Sequence, residues 1–154
     1  MTILAFDQAT AKTGYSVFKD TKYKTHGKID IKEKDTQERV KEMFLAIAKI
    51  IDKYKPDVVY VEGVAMQSNV ATLSLLARLQ GMIIGYCYAH GIRPEMLSPT
   101  VWRHSLGFKQ GGTKRDVLKK QAKEYVENKY HINATEDECE SICIGRVASM
   151  MEEK

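Results

Sequence analysis

Cysteine, proline and tryptophan are scarce in this 154-residue chain, which has three, three and one of them. An odd, sparse cysteine set (Cys87, Cys139, Cys143) excludes a disulfide framework and points to a reducing compartment, so a cytoplasmic location is expected. Zinc is disfavoured as well. Cys139 and Cys143 would need two more ligands, and His131 is the only nearby candidate. Small buried thiols on a helix face are the ordinary reading. No apolar stretch is expected to reach the roughly 18 residues of a membrane span. The short apolar run at the N-terminus has no basic leader and no small-residue cleavage site, so it does not read as a signal peptide. Repeats, low-complexity tracts and long linkers are also missing. With 44% apolar and 29% charged residues, the chain reads as one domain over residues 1–154 around one core.

What is present is an uneven charge distribution. The net charge is +4. Arg103 to His131 holds eight Lys or Arg against three acids, and Ile132 to Lys154 holds six acids against two bases. A basic block directly ahead of an acidic cluster suits a protein that grips phosphate with one part and binds metal with another. Two solvated helix faces of opposite sign would give the same balance.

The apolar periodicity orders the chain. Residues 2–7 read as a short buried strand, Tyr15 to Phe18 as a second and Tyr23 to Ile31 as a third, spaced tightly enough for an antiparallel meander. Asp35 or Thr36 caps a helix whose Val40, Met43, Phe44, Ile47, Ile50 and Ile51 recur at three and four. Asp57 to Glu62 is a fourth strand, apolar enough to be covered on both faces. Asn69 or Ser68 caps a second helix running to about His90. It is apolar on nearly all sides, so it is either central or covered by a partner chain. Ile92 to Leu97 is a fifth strand, placed at an edge or an end by Pro94. Ser98-Pro99 opens a short helix, Thr113 is expected to cap a basic one, and Thr135 with Glu138 forms a capping box for the last. The result is an α/β plan with a mixed five-stranded sheet flanked by helices.

The acids carry the chemistry. Asp7 closes the apolar run Ile3-Leu4-Ala5-Phe6, and Glu62 closes Val58-Val59-Tyr60-Val61. A carboxylate at the end of a buried strand is costly unless something neutralises it. In parallel sheets, functional groups gather beyond the carboxyl ends of the strands. Asp137 and Glu140, three apart on the last helix, share one face. Laid over the strand ends, they would complete a four-carboxylate cup. Carboxylates packed this way repel unless cations sit between them, and oxygen-only ligands suit Mg²⁺ or Mn²⁺. Two such ions about 4 Å apart can activate water and stabilise the leaving oxygen of a phosphodiester. Singly, each acid has a plainer use: a turn cap for Asp7, a lysine pair for Glu62, and a helix N-terminus for Asp137. The neighbouring Glu136 and Glu138 also compete as ligands, and helix angle, about 40° between Glu136 and Glu140, does not remove Glu136.

These residues resemble the RuvC-type Holliday junction resolvases, a branch of the ribonuclease H-like superfamily. Ile3-Leu4-Ala5-Phe6-Asp7 with Thr13-Gly14 is similar to the first family motif, and Val58-Val59-Tyr60-Val61-Glu62 to the second. Asp137-Glu138-Cys139-Glu140-Ser141-Ile142-Cys143-Ile144-Gly145 is similar to the last. Ser98-Pro99-Thr100-Val101-Trp102-Arg103 with Leu106-Gly107 resembles the stretch after the fifth strand. The short length resembles the phage-encoded members, which would work in the host cytoplasm. The resemblance implies a ribonuclease H-like three-layer fold. It also implies a homodimer through the helix around residues 70–90 and two Mg²⁺ or Mn²⁺ ions per active site. Asp7, Glu62, Asp137 and Glu140 would be the catalytic and metal-binding residues. Arg103, Lys109, Lys114, Arg115 and Lys119 would contact DNA. The implied activity is nicking of four-way junctions in recombination and replication intermediates, leaving a 5′-phosphate and a 3′-hydroxyl, without a membrane.

The chain departs from the bacterial pattern in three places. Gln8-Ala9 stands where Pro-Gly is usual, and Glu140 where Asp is usual. Gly63-Val64-Ala65-Met66 lacks the aromatic found shortly after the second acid. These departures bring forks and flaps within the expected substrates. Two other classes compete: a catalytically inactive branched-DNA-binding protein on the same fold, and a fragment of the sugar-kinase and actin-like ATPases. The latter requires a second related domain for which the chain has no room.

Overall fold

A computed structural model describes residues 1–64 and 69–154. β1 (Thr2–Asp7), β2 (Lys12–Lys19) and β3 (Lys22–Asp30) form an antiparallel meander. They are followed by α1 (Thr36–Tyr54), β4 (Val58–Glu62), α2 (Val70–Ala89), β5 (Arg93–Leu97), α3 (Pro99–Ser105), α4 (Arg115–Tyr130) and α5 (Glu136–Glu153). The sheet order is β3-β2-β1-β4-β5, with β4 parallel to both β1 and β5. The expected mixed five-stranded sheet flanked by helices is present, and Pro94 falls on an edge strand as its missing N–H requires.

Strand alternation sorts the core into two layers. Ile3, Ala5, Val58 and Tyr60 face α3, α4 and α5, together with Trp102, Ile142 and Val147. Leu4, Phe6, Val59 and Val61 face α1 and α2, together with Met43, Ile47, Leu79 and Ile83. This period of two decides where the strand-end acids stand. Asp7 follows Ile3 and Ala5, and Glu62 follows Val58 and Tyr60. Both therefore belong to the α5 face. Ala5 is registered with Tyr60, so the two acids are neighbours across the parallel pair.

Helix α5 lies against β1, β2 and β3. Two glycines allow that approach. A Cβ on Gly14 would overlap the Asp137 carbonyl and lie 2.9 Å from Glu138 N. One on Gly145 would lie 2.6 Å from Ser16 Oγ. Ser16 Oγ also donates to the Ser141 carbonyl at 2.6 Å, inside the core. The Thr135–Glu138 capping box is formed and contributes on the order of 1 kcal/mol.

Two expectations are corrected, the cap of α4 and the apolar length of α2, while the cap of α2 is one of the two expected residues. Lys114, not Thr113, is the N-cap of α4, and it makes no side-chain cap bond. Thr113 Oγ1 instead donates to Gln110 O at 2.8 Å, closing the turn through Gly111 and Gly112, both at positive φ. Asn69 caps α2 through Thr72 N, and Ser68 lies outside the described residues. Finally, α2 is 20 residues long and apolar enough, by length and composition, to match a membrane span. That contradicts the expected absence of such a run. It packs on the sheet through Leu79, Gln80, Ile83 and Cys87, and Arg78 in its middle donates to Gln37 of α1.

Candidate metal centre and nucleic-acid cleft

Three carboxylates meet at the carboxyl ends of the two central parallel strands. One oxygen each from Asp7, Glu62 and Glu140 lie within 4.8 Å of one another. Glu140 is buried, at 7% exposure. The group floors a cleft of about 290 Å³, also lined by Gln8, Asp137, Arg103, Arg115 and Lys119. Asp137 thus stands in the cleft wall, outside the tight cluster. The expected four-carboxylate cup is three carboxylates with a fourth beside them.

The competing acids are committed elsewhere. Glu136 pairs with Lys119 at 3.3 Å across to α4. Glu138 accepts from the Thr135 N–H at 3.2 Å, and its other oxygen lies 3.3 Å from His26 Nε2. His26 Nδ1 in turn meets Tyr23 OH at 2.6 Å. This chain from β3 turns Glu138 away from the cleft.

The electrostatics are those of an uncompensated anionic site. Burial, then the Glu140 and Glu62 carboxylates, holds Asp7 well above the usual carboxylate range. Burial and Glu140 push Glu62 up to about 7, against the opposing pull of the Trp102 N–H, Arg103 and Arg115. Elevation of both strand-end acids marks a place suited to positive charge. Burial also raises the Cys139 and Cys143 thiols, which suits packing rather than metal or nucleophilic use.

Of the expected DNA-contacting residues, Arg103, Arg115 and Lys119 line the cleft. Lys109 and Lys114 are exposed, on the loop ahead of α4 and at its N-cap, and are not among the residues lining the cleft. Lys109 is held by backbone bonds to Gln121 on both its N–H and its carbonyl. The Arg103 guanidinium lies 5.0 Å from the Trp102 ring centroid. Its buried Nε has no hydrogen-bond partner among the described residues.

Sequence reasoning missed Trp102 and Gln80 as site residues, and it saw Gln8 only as a departure. Trp102 is fully buried and donates Nε1–H to Glu62 Oε2 at 3.2 Å. A single buried tryptophan needs an acceptor, which was the available signal. Trp102→Phe should keep the core filled, raise the Glu62 pKa further and weaken Mn²⁺ binding about tenfold. Calorimetry on the metal-free protein would measure this, and unchanged affinity would remove Trp102 from the site.

A mixed sheet in this strand order, flanked by helices, is a ribonuclease H-like fold, with acids at the ends of the neighbouring parallel strands β1 and β4. Residues 3–122 match the family model described as crossover junction endodeoxyribonuclease RuvC, and the chain belongs to that family. The match ends ahead of α5, so it covers Asp7 and Glu62 but neither Asp137 nor Glu140. A crossover junction endodeoxyribonuclease RuvC of Nitratidesulfovibrio vulgaris is 26% identical over 110 residues, covering 69% of this chain and 66% of that protein. One from Vibrio vulnificus is 30% identical over 94 residues, covering 58% and 54%. The chain thus matches between about half and two thirds of these relatives' length. Among solved structures, Thermus thermophilus RuvC in complex with Holliday junction substrate superposes with a TM-score of 0.78 at 11% identity, covering 99% of this chain and 96% of that one. The yeast mitochondrial Holliday junction resolvase gives 0.66 at 15% identity, covering 98% and 78%.

Proposed function

We propose that this chain is a metal-dependent, structure-selective endonuclease that nicks four-way junctions and other branched DNA. The observation that carries the reading is the meeting of the Asp7, Glu62 and Glu140 oxygens within 4.8 Å. The names of its relatives, and the junction-bound neighbour, support the substrate class. The donors are all hard oxygens, and the raised proton affinities of Asp7 and Glu62 are those of carboxylates crowded together without a cation. That set fits Mg²⁺ or Mn²⁺. Asp7, Glu62 and Glu140 would hold the ion, with Asp137 completing a second position. When bound, a pair of such ions supplies activation of water and stabilisation of the leaving 3′-oxygen.

The chain's own residues bind and orient. Trp102 fixes one oxygen of Glu62 and leaves the other for the centre. Arg103, Arg115 and Lys119 draw the phosphate into the cleft. Lys109 and Lys114 extend the basic surface outward along a DNA arm. Hydrolysis breaks the phosphorus–O3′ bond and leaves a 5′-phosphate and a 3′-hydroxyl. The free, buried cysteines suit work in a reducing cytoplasm.

The test is cleavage of labelled four-way junctions, forks, flaps and linear duplex with Mg²⁺ or Mn²⁺. Nicks confined to the branched substrates support the reading. Junction binding without cleavage under any divalent metal would favour a binding protein instead.

We also place a homodimer on α2. Val70 and Tyr88 are 76% and 71% exposed at its two ends. Between them Ala77, Gly81 and Gly85 are exposed at a spacing of four, which lets a second helix come close. Nothing lies within 4 Å of a Cβ on Gly81, so Gly81→Arg leaves the fold intact. It should convert a dimer to a monomer in sedimentation and abolish paired nicking of a junction. A wild-type monomer would refute this interface.

A further inference from the structure

Gln8 directly follows Asp7, and its side chain is buried at 8% exposure. Its Nε2 donates to the Glu62 carbonyl at 2.7 Å, and its Oε1 accepts the Glu62 N–H at 3.1 Å. The last registered pair of the β1–β4 ladder is Phe6 with Val61. A carboxamide carries a donor and an acceptor side by side, like the edge of a peptide. Gln8 therefore continues the ladder one residue further with its side chain. From α2, Gln80 Nε2 donates to the same Glu62 carbonyl at 2.9 Å. Gln80 is itself buried, at 9% exposure.

Glu62 is the last residue of β4, where a strand backbone is held least. Its carboxylate faces those of Asp7 and Glu140, and their repulsion acts to push it outward. Its peptide groups are nevertheless fixed on two sides, by a residue adjacent in sequence to Asp7 and by one on α2. We infer that Gln8 is a positioning residue for the metal centre. Its carboxamide, backed by Gln80, clamps the Glu62 peptide so that the three carboxylates stay assembled before an ion arrives. A proline, usual at this position in the pattern the sequence resembles, offers neither group. The clamp is thus a device of this chain. The inference rests on the metal-centre reading above.

The experiment uses the full chain, stripped of metal, as wild type, Gln8→Met, Gln8→Glu and Gln80→Met. Gln8→Met keeps length and volume and removes both polar atoms. The Glu62 amide should then exchange with solvent at least about tenfold faster, as measured by NMR. The Mn²⁺ dissociation constant from calorimetry should rise by about 10-fold or more, the range seen when a residue supporting a ligand is lost. Cleavage lost at low Mn²⁺ should return as Mn²⁺ is raised, which a generally damaged fold would not show. Gln8→Glu keeps an acceptor for the Glu62 N–H and should retain the slow exchange, and it serves if Gln8→Met does not fold. Gln80→Met removes one of two donors to one carbonyl and should weaken Mn²⁺ binding less than Gln8→Met. Unchanged Glu62 exchange and Mn²⁺ affinity in Gln8→Met would overturn the clamp, and so would a cleavage loss that Mn²⁺ cannot restore. If wild type takes up no Mn²⁺, the metal centre itself fails, and Glu62 exchange still decides whether Gln8 holds the strand end.

Discussion

Asp7→Asn should abolish junction cleavage and, in the absence of metal, make the protein more stable. The two effects share one cause. Asp7 sits with Glu62 and Glu140 inside 4.8 Å, and its carboxyl is held well above the usual range by burial and those neighbours. An amide of the same shape removes a ligand charge from the centre. Losses of roughly 10²–10³-fold follow from removing one preorganised electrostatic group in other enzymes, and a direct ligand should exceed that. The same change removes a buried like-charge repulsion. At pH 8 in EDTA the variant should gain on the order of 1–3 kcal/mol, or a melting temperature several degrees higher. Full cleavage by the variant, or a lower melting temperature, would contradict the site.

A pH profile follows from the same groups. Folded-state values of Asp7 and Glu62 are raised above their unfolded ones, so the folded protein binds more protons in between. The stability from holding those protons is fully present below about pH 4, the unfolded carboxylate range. It is lost as pH rises through about 7, the value reached by Glu62. Metal-free protein should therefore melt at a lower temperature at pH 8 than at pH 5.5. Saturating Mn²⁺ at pH 8 should reverse most of that difference, because bound cations replace the protons.

Gly14→Ala should be nearly as severe, for steric rather than electrostatic reasons. Its new Cβ would overlap the Asp137 carbonyl, and backbone cannot swing aside as the tip of a side chain can. The start of α5 must lift off β2, carrying Glu140 away from Asp7. Overpacking costs about 1–3 kcal/mol and occasionally more; here the upper end is expected, with cleavage lost as well. Urea denaturation and the junction assay measure both. Gly81→Ala is the matched control. Within one chain a Cβ there meets nothing within 4 Å, so the fold of the single subunit should be unchanged or stabilised by about 0.5–1 kcal/mol, the helix preference for alanine. Equal loss in both variants would mean that the close approach at Gly14 is unimportant.

The strand-end acids were legible in the sequence because strands alternate strictly. Once Ile3 and Ala5 face one layer, Asp7 must follow, and Glu62 follows Val58 and Tyr60 in the same way. Helix α5 was less legible. Its period places Asp137 and Glu140 on one face but does not say how far the helix slides along the sheet, and that slide, fixed by Gly14 and Gly145, leaves Asp137 in the wall. The separation of Glu138 from Asp137 depended on His26, far away on β3. The roles of Trp102, Gln8 and Gln80 were not legible because they rest on hydrogen bonds to Glu62, one each from Trp102 and Gln80 and two with Gln8, and no periodicity encodes such bonds. The start of α4 was not legible because the Thr113 hydroxyl bonds to Gln110 O in the preceding turn instead of capping the helix. The apolar character of α2 was visible from composition, but the length of its apolar run was underestimated.

The carboxylates that meet in the cleft come from the first strand, the fourth strand and the last helix of the chain. The ring they close is one of the longest the fold contains, and closing long rings comes late in folding because their entropy is repaid only when the final contacts form. Asp7 can pair with Glu62 once β4 joins β1, but the cluster is incomplete until α5 has docked across β1, β2 and β3. A growing or half-folded chain therefore carries no assembled centre. Metal affinity and full cooperativity should arrive together, and a chain stalled before α5 should not cleave DNA.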